Sequence, residues 1–360
     1  MDNKTIVMNP KASTDALKPA LGIQSDSAFT ETAKGMNGRD LVSIADLSVQ
    51  EMAAIMELAH AVKTAPEDFR HGLDAKQMVL FFEKASLRTR LTFEVAMKSV
   101  GGGATFVDQT GSPLGERESI PDIARNLERW MDIIVLRTYS HDTIIEMAAN
   151  SKIPVINALS DLEHPCQAIA DFMTLEERFG SVEGLKFTYV GDGNNVCHSL
   201  MLAGALLGVH TTVATPKNFA PKLEFVHKAI EIAEQTGATI TLTIDPIKAA
   251  TGADAIYTDT CVSMGMEHEA AKRAPIFKPY QVNEEMMALA QPSAAFMHCL
   301  PAHRGAEVTD AVLDGAQSVV FDQAENRLHA QKAIVLMLLG GAKRIPSHRN
   351  KGGLQARSRR

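Results

Sequence analysis

Short apolar runs alternate with segments of helical periodicity along most of the chain, and this alternation limits the fold more than any other feature. The runs "QMVLFF", "ATFVD", "DIIVLR" and "IPVINA" are separated by stretches such as "RTRLTFEVAMKSVG" and "SIPDIARNLERWM". The runs have strand length, and the stretches between them repeat apolar residues at three- and four-residue spacing. Strand, helix, strand repeats imply a parallel sheet, because parallel neighbours need a crossover connection. After a long helix predicted over residues 164–179 the alternation restarts with "LKFTYVGD", "HTTVATP", "TITLTID", "DAIYTD", "AAFMHCL" and "SVVFD". The expected fold is α/β, with two doubly wound parallel-sheet domains joined by long helices.

With 360 residues, both domains have enough chain to bury a core. Ser48 and Glu51 stand in capping-box spacing before "VQEMAAIMELAHAV", a helix start. Ahead of it, residues 1–38 are rich in Ala, Thr, Ser and Lys and read as a flexible N-terminal extension, without the pattern of a signal or transit peptide. The expected boundaries are 39–172 for the first domain, 173–323 for the second, 324–342 for a helix returning to the first, and 343–360 for a basic tail. That tail carries seven Lys/Arg and no acid, so against a net charge of −7 the remainder stands at −14. Such an acidic body does not suit nucleic acid, and no apolar run is long enough to span a bilayer. Cys166, Cys197, Cys261 and Cys299 show no CxxC spacing. They read as reduced thiols in a cytoplasmic protein, with no structural zinc and no metal.

In open parallel sheets ligands bind beyond the carboxyl ends of strands, so residues just after the apolar runs are the candidates. "FEKASLRTRLTFE" passes from strand into helix and gathers Ser86, Arg88, Thr89 and Arg90 at a helix start. Free N–H groups, the helix dipole, hydroxyls and guanidinium groups make a phosphate site there; a capped helix with a solvated basic face is the plainer alternative. Arg137 ends another strand and reads either as a surface charge or as a side chain in the same crevice. His164 and Gln167 lie at i and i+3, suited to gripping a carbonyl and an amide, although a lone buried histidine is commonly structural.

"YVGDGNNVCHS" offers only two glycines of a dinucleotide fingerprint: Val196 stands at the third, and no acid follows at ribose distance. Its Asn194 and Asn195 suit a carboxylate or amine ligand, or simply a polar turn. Asp259, Ser263 and Met264 follow the run "DAIYTD", where the acid could meet an ammonium group or sit as an ordinary loop acid. In "MHCLPAHRG", His298 and Cys299 point to opposite faces of a strand and make a poor dyad or shared metal site.

Taken together, "SLRTR", "HPCQ", "GDGNN", "DTCVSMG" and "HCLP" resemble, in order and spacing, the aspartate/ornithine carbamoyltransferase family, and the "SMG" loop with "HCLPAHRG" resembles the ornithine branch. The resemblance covers about Leu41 to Leu339. It implies carbamoyl transfer from carbamoyl phosphate to the δ-amine of L-ornithine, giving L-citrulline, a step of arginine biosynthesis, with no cofactor. It assigns Ser86, Leu87, Arg88 and Thr89 to the phosphate. Arg137, His164, Gln167, Cys299, Leu300 and Arg327 would hold the phosphate or the carbamoyl group, and Asn195, Asp259, Ser263 and Met264 would hold ornithine. Arg137, His164 and Cys299 would be the catalytic residues, Cys299 as a clamp and proton acceptor. The resemblance also implies a cis Leu300–Pro301 bond and a homotrimer. Leu87 departs from the family's commoner threonine, which removes one hydroxyl donor.

Overall fold

The computed structural model describes residues 6–8, 25–261 and 267–343. Helices α1 (Asp26–Met36) and α2 (Val49–Thr64) precede the first sheet. That sheet alternates β2 (Gln77–Phe82), α3 (Leu87–Ser99), β3 (Gly103–Asp108), α4 (Ile120–Leu127), β4 (Ile133–Arg137), α5 (His141–Asn150) and β5 (Val155–Leu159). Helix α6 (Pro165–Phe179) leads to the second unit. There β6 (Lys186–Val190), α7 (Asn195–Leu206), β7 (His210–Ala214), α8 (Leu223–Thr236), β8 (Ile240–Thr243), α9 (Pro246–Ala250) and β9 (Ala255–Thr258) follow. Then come α10 (Ala270–Phe277), α11 (Glu284–Met287), β10 (Ala295–His298), α12 (Asp310–Leu313) and α13 (Val320–Leu338).

Strand order in the first sheet is β3-β2-β4-β5, all parallel. In the second it is β8-β7-β6-β9-β10, also parallel, with a short antiparallel edge strand, β1 (Ile6–Met8), against β8. Chain order reverses between β2 and β4 in one sheet and between β6 and β9 in the other. Loops leaving the carboxyl ends of such strands diverge to opposite faces and leave a crevice. Each sheet thus brings one crevice to the site.

The long helices tie the units together. Residues 165–175 of α6 are all buried, and α13 packs on α6, α2 and α3. The boundaries expected at 172/173 and 323/324 fall inside these two unbroken helices. The Ser48–Glu51 capping box forms in both directions, with Ser48 N–H donating to Glu51 Oε2 at 2.8 Å.

Two expectations need correction. Within the expected flexible extension, residues 26–36 form α1, capped by Ser25, whose Phe29, Ala33 and Met36 are buried in the core against α2 and α13. Residues 6–8 pair as β1. Spaced at four and three residues, those three apolar side chains make a narrow helical stripe that an Ala- and Thr-rich composition hides. The Phe29→Ala variant is expected to lose about 3–5 kcal/mol in urea unfolding, a large-to-small cost that a flexible segment would not show. "SVVFD" is not a strand: Val320 begins α13, because the polar-apolar spacing of "DQAENRLHAQ" continues the helix, and Ser318 makes only an isolated bridge to Phe296.

Candidate active site

A cleft of about 300 Å³ lies between the two crevices. Ser86, Leu87, Arg88, Thr89, Arg137, His164, Gln167, Asn195, Asp259, Cys299, Leu300 and Arg327 all line it. Ser263 and Met264 lie outside the described residues. A larger cavity of about 790 Å³ adjoins the cleft, sharing Asp259, Thr260 and Pro301, but it is mainly apolar and contains none of these arginines. The smaller cleft therefore carries the charge chemistry.

Three helices begin at the cleft. Ser86 caps α3, its hydroxyl accepting from Thr89 N–H at 3.3 Å. His164 precedes α6, and Asn194 caps α7 by accepting from the N–H groups of Val196 and Cys197 at 3.0 and 3.1 Å. Each start contributes the positive end of a helix dipole. Leu87 is 71% exposed as a side chain, but as the first residue of α3 it still offers its N–H. Arg90 instead pairs with Glu94 and lies over the Phe106 ring.

Arg88, Arg137 and Arg327 add three guanidinium groups, and among the described residues none has a carboxylate ion-pair partner. Burial pushes the Arg137 pKa down to about 10, helped by Arg327 and Arg88. Arg327 is held by Gln167 Oε1 and donates through Nη2 to Thr89 Oγ1 at 3.0 Å, yet burial lowers its pKa too. The Nε atoms of Arg137 and Arg327 are buried without a hydrogen-bond partner. Buried cations left unpaired are costly, so the cleft is electrostatically incomplete without an anion. Lys84, which sequence reasoning did not single out although it sits in the quoted "FEKASLRTR", also lines the cleft. Burial and then Arg137 lower its pKa.

His164 is neutral here. Burial, then Arg327 and Arg137, drive its pKa well below the ordinary histidine value, and its Nδ1 is buried without a partner. An uncharged imidazole can still donate one hydrogen bond to a polarised oxygen. In the ligand-free protein, a ¹³C-labelled His164 ring is expected to stay unprotonated well below the pH at which an ordinary histidine titrates, by NMR titration. A midpoint near the ordinary histidine value would contradict this reading.

On the opposite wall, Asp259 follows β9 at the second switch point. Its Oδ2 accepts from Asn194 Nδ2 at 2.7 Å, and its Oδ1 accepts from the Cys299 thiol at 3.0 Å. Asn195 instead donates to Ser160 O at 2.7 Å. Its neighbour Asn194, assigned no ligand role by the resemblance, is the residue that braces the acid. Burial, then Asp259, pushes the Cys299 pKa well above the ordinary thiol value. The expectation that Cys299 accepts a proton is therefore revised: in this arrangement it is a protonated thiol that donates.

Leu300–Pro301 is cis, as the resemblance implies. The expectation that His298 and Cys299 point apart needs correction, because beyond the strand end their ligand-type atoms and that of Asp259 lie within 4.8 Å of one another, each engaged in a hydrogen bond. His298 Nδ1 accepts from Leu300 N–H at 2.9 Å and Nε2 faces Glu307 Oε1 at 3.3 Å. The dinucleotide alternative loses its turn: a Cβ on Gly193 would lie 2.2 Å from Pro221 N, so residues 219–221 fill the space over the glycine loop.

A doubly wound pair of sheets, an anion hole at three helix starts and a facing carboxylate define a two-domain transferase for a phosphorylated donor and a cationic acceptor. Comparison with known proteins makes this specific. The carbamoyl-P binding domain of aspartate/ornithine carbamoyltransferase matches residues 39–177, and the Asp/Orn binding domain of the same family matches residues 183–338. The chain belongs to the aspartate/ornithine carbamoyltransferase family of enzymes. It is 49% identical to the ornithine carbamoyltransferase of Synechocystis sp. over 311 residues, 85% of this chain and 98% of that protein. The Pyrococcus horikoshii ornithine carbamoyltransferase is 47% identical over 310 residues, 86% of this chain and 98% of that one. The solved ornithine carbamoyltransferase of Pyrococcus furiosus superposes with a TM-score of 0.83 at 46% identity, covering 86% of this chain and 99% of that structure.

Proposed function

We propose that this chain transfers the carbamoyl group of carbamoyl phosphate to the δ-amine of L-ornithine, giving L-citrulline and phosphate. The observation that carries this reading is the unpaired cluster of Arg88, Arg137 and Arg327 at the start of α3, facing Asp259 across one cleft. Residues 39–172 would bind carbamoyl phosphate, with Ser86, Leu87, Arg88 and Thr89 on its phosphate. Arg137, His164, Gln167 and Arg327, with Cys299 and Leu300, would surround the carbamoyl group. The second domain would supply Asn195, Asp259, Ser263 and Met264 to ornithine, with Asn194 bracing the acid.

The reaction needs no redox change. The neutral δ-nitrogen attacks the carbonyl carbon, the carbonyl oxygen gathers charge beside Arg137, His164 and Thr89, and the C–O bond to phosphate breaks. The surplus proton on nitrogen passes to the leaving phosphate, which departs as hydrogen phosphate. Deprotonating a lysine-like amine near pH 7.5 costs about 4 kcal/mol. Preorganised donors, each typically contributing about 3 kcal/mol, together with orientation of two bound reactants, offset that cost. Because an acyl phosphate is the activated partner, citrulline synthesis is the favoured direction, in keeping with arginine biosynthesis.

A homotrimer fits the exposed stripe of Leu87, Leu91 and Val95, 71%, 49% and 47% exposed at four-residue spacing on the helix that opens the site. Light scattering should return three chains. A cytoplasmic setting fits four free cysteines, and no helix among the described residues is long and apolar enough to cross a membrane. The activity is tested by colorimetric citrulline release with carbamoyl phosphate and, in parallel, ornithine, acetylornithine, succinylornithine or putrescine. Preference for any acceptor other than ornithine would overturn the assignment, because acylation removes, and putrescine lacks, the α-ammonium that Asp259 would meet.

A further inference from the structure

Behind the cleft, Asp171 of α6 is fully buried, and its Oδ1 accepts two side-chain amides at once: Gln167 Nε2 at 2.7 Å and Gln323 Nε2 at 2.7 Å. The two amides lead in different directions. Gln167 Oε1 takes Arg327, which continues to Thr89 at 3.0 Å, while Gln323 Oε1 takes His298 N–H at 3.0 Å, one residue before Cys299. The Tyr257 hydroxyl, 3.3 Å from Gln323 Nε2, closes the group. One carboxylate thus meets both walls of the cleft through a single glutamine on each side.

We propose that Asp171 is a positioning residue for carbamoyl transfer, fixing the amide of Gln167 for the carbamoyl group and, through Gln323, the His298–Leu300 segment, where Cys299 and Leu300 border the carbamoyl group and the Cys299 thiol reaches Asp259 on the acceptor side. An ionised carboxylate only accepts, so both NH₂ groups must face it and both amide oxygens must face away. A glutamine free to flip would turn its NH₂ toward the Arg327 guanidinium, donor against donor, and would misplace Arg327. The expense of the arrangement supports the assignment. A fully buried acid with no ion-pair partner among the described residues is a poor stability device. Its pKa is raised to about 7, mainly by burial, with Gln167, Gln323, Tyr257 and Arg327 opposing. Above that pH the folded protein holds the charge at a cost, and below the unfolded value the cost vanishes.

The inference rests on the proposed carbamoyl transfer. Asp171→Asn, nearly the same shape, supplies a donor as well as an acceptor and releases the orientation. By titration calorimetry its affinity for carbamoyl phosphate is expected to fall about tenfold, while that for inorganic phosphate, held by the start of α3 and Arg88, changes less than about twofold. Its melting temperature at pH 8 should equal or exceed that of the parent, because a buried charge is gone. Equal weakening of both anions, or unchanged carbamoyl phosphate binding, would overturn the proposal. Gln323→Met tests the second arm alone, and serves if the Asp171→Asn protein does not fold. The KM for ornithine should rise about tenfold, because Cys299 carries the hydrogen bond to Asp259, and inorganic phosphate binding should change less than about twofold; an unaltered ornithine KM would refute that arm. A parent protein that releases no citrulline would instead refute the functional reading itself.

Discussion

Replacing Arg137 with Met should reduce citrulline formation about 100- to 1000-fold and, at the same time, raise the melting temperature of the ligand-free protein by a few degrees. The two effects have one cause. Arg137 is buried beside Arg327 and Arg88, and its pKa of about 10 lies below the ordinary guanidinium value because folding disfavours the charged form. A cation with a lowered folded-state pKa costs stability at every pH below that value, and the cost is relieved only as pH rises through about 10. A shift of this size corresponds to roughly 3 kcal/mol. Methionine keeps the apolar stem, removes the charge and, among the described residues, breaks no side-chain hydrogen bond.

During catalysis the balance reverses. On the proposed reading, the anionic donor would complete the cation cluster and the guanidinium group would become a fixed donor at the developing oxyanion, where loss of one such group typically costs about 3 kcal/mol. Carbamoyl phosphate should therefore raise the melting temperature of the parent much more than that of the variant. Thermal melts with and without carbamoyl phosphate, set beside initial rates, measure both. A variant that is less stable when ligand-free, or that turns over within about threefold of the parent, would show that Arg137 is structural.

Much of this site is legible in sequence because parallel α/β sheets deliver function to strand ends. Phosphate-type residues after "QMVLFF", an arginine ending "DIIVLR", an acid ending "DAIYTD" and a thiol after "AAFMH" could be placed before any contact was known. The switch points between β2 and β4 and between β6 and β9 explain why the ends of β2, β4 and β9 share a cleft, and β10, the next strand beyond β9, brings the thiol beside them. What sequence could not resolve is of a different kind. Choosing between Asn194 and Asn195 needs the angle at which α7 leaves its turn, since adjacent residues there diverge by about 100°. Arg327 entered only through the family resemblance, because its position on a helix 238 residues from Thr89 carries no local signal. Asp171 is hidden for the same reason: in sequence it is one acid on an amphipathic helix, and its burial depends on Gln323, 152 residues away. Buried polar networks are made by tertiary contact, whereas strand ends are written locally.

Substituting Asp259 with Asn should raise the KM for ornithine about 100-fold while changing that for carbamoyl phosphate less than about threefold. Asp259 stands apart from the arginine cluster, and among the described residues its carboxylate is engaged by Asn194 and Cys299 but by no cation. On the proposed reading, such an acid, 5% exposed, would meet an incoming ammonium, and a charge-assisted hydrogen bond there would contribute roughly 3 kcal/mol relative to a neutral amide. Cys299 supplies a second readout that does not depend on turnover. Burial is the larger cause of its raised pKa and Asp259 the next, so neutralising the acid should bring the thiol down and speed its alkylation by iodoacetamide at about pH 8. If both Michaelis constants rose together the pocket would simply have been disordered. If ornithine binding fell while thiol reactivity stayed fixed, the Cys299–Asp259 hydrogen bond would not persist in solution. Only the combined pattern, a selective loss of ornithine and a more reactive thiol, identifies Asp259 as the charge that receives the acceptor and holds Cys299 protonated beside it.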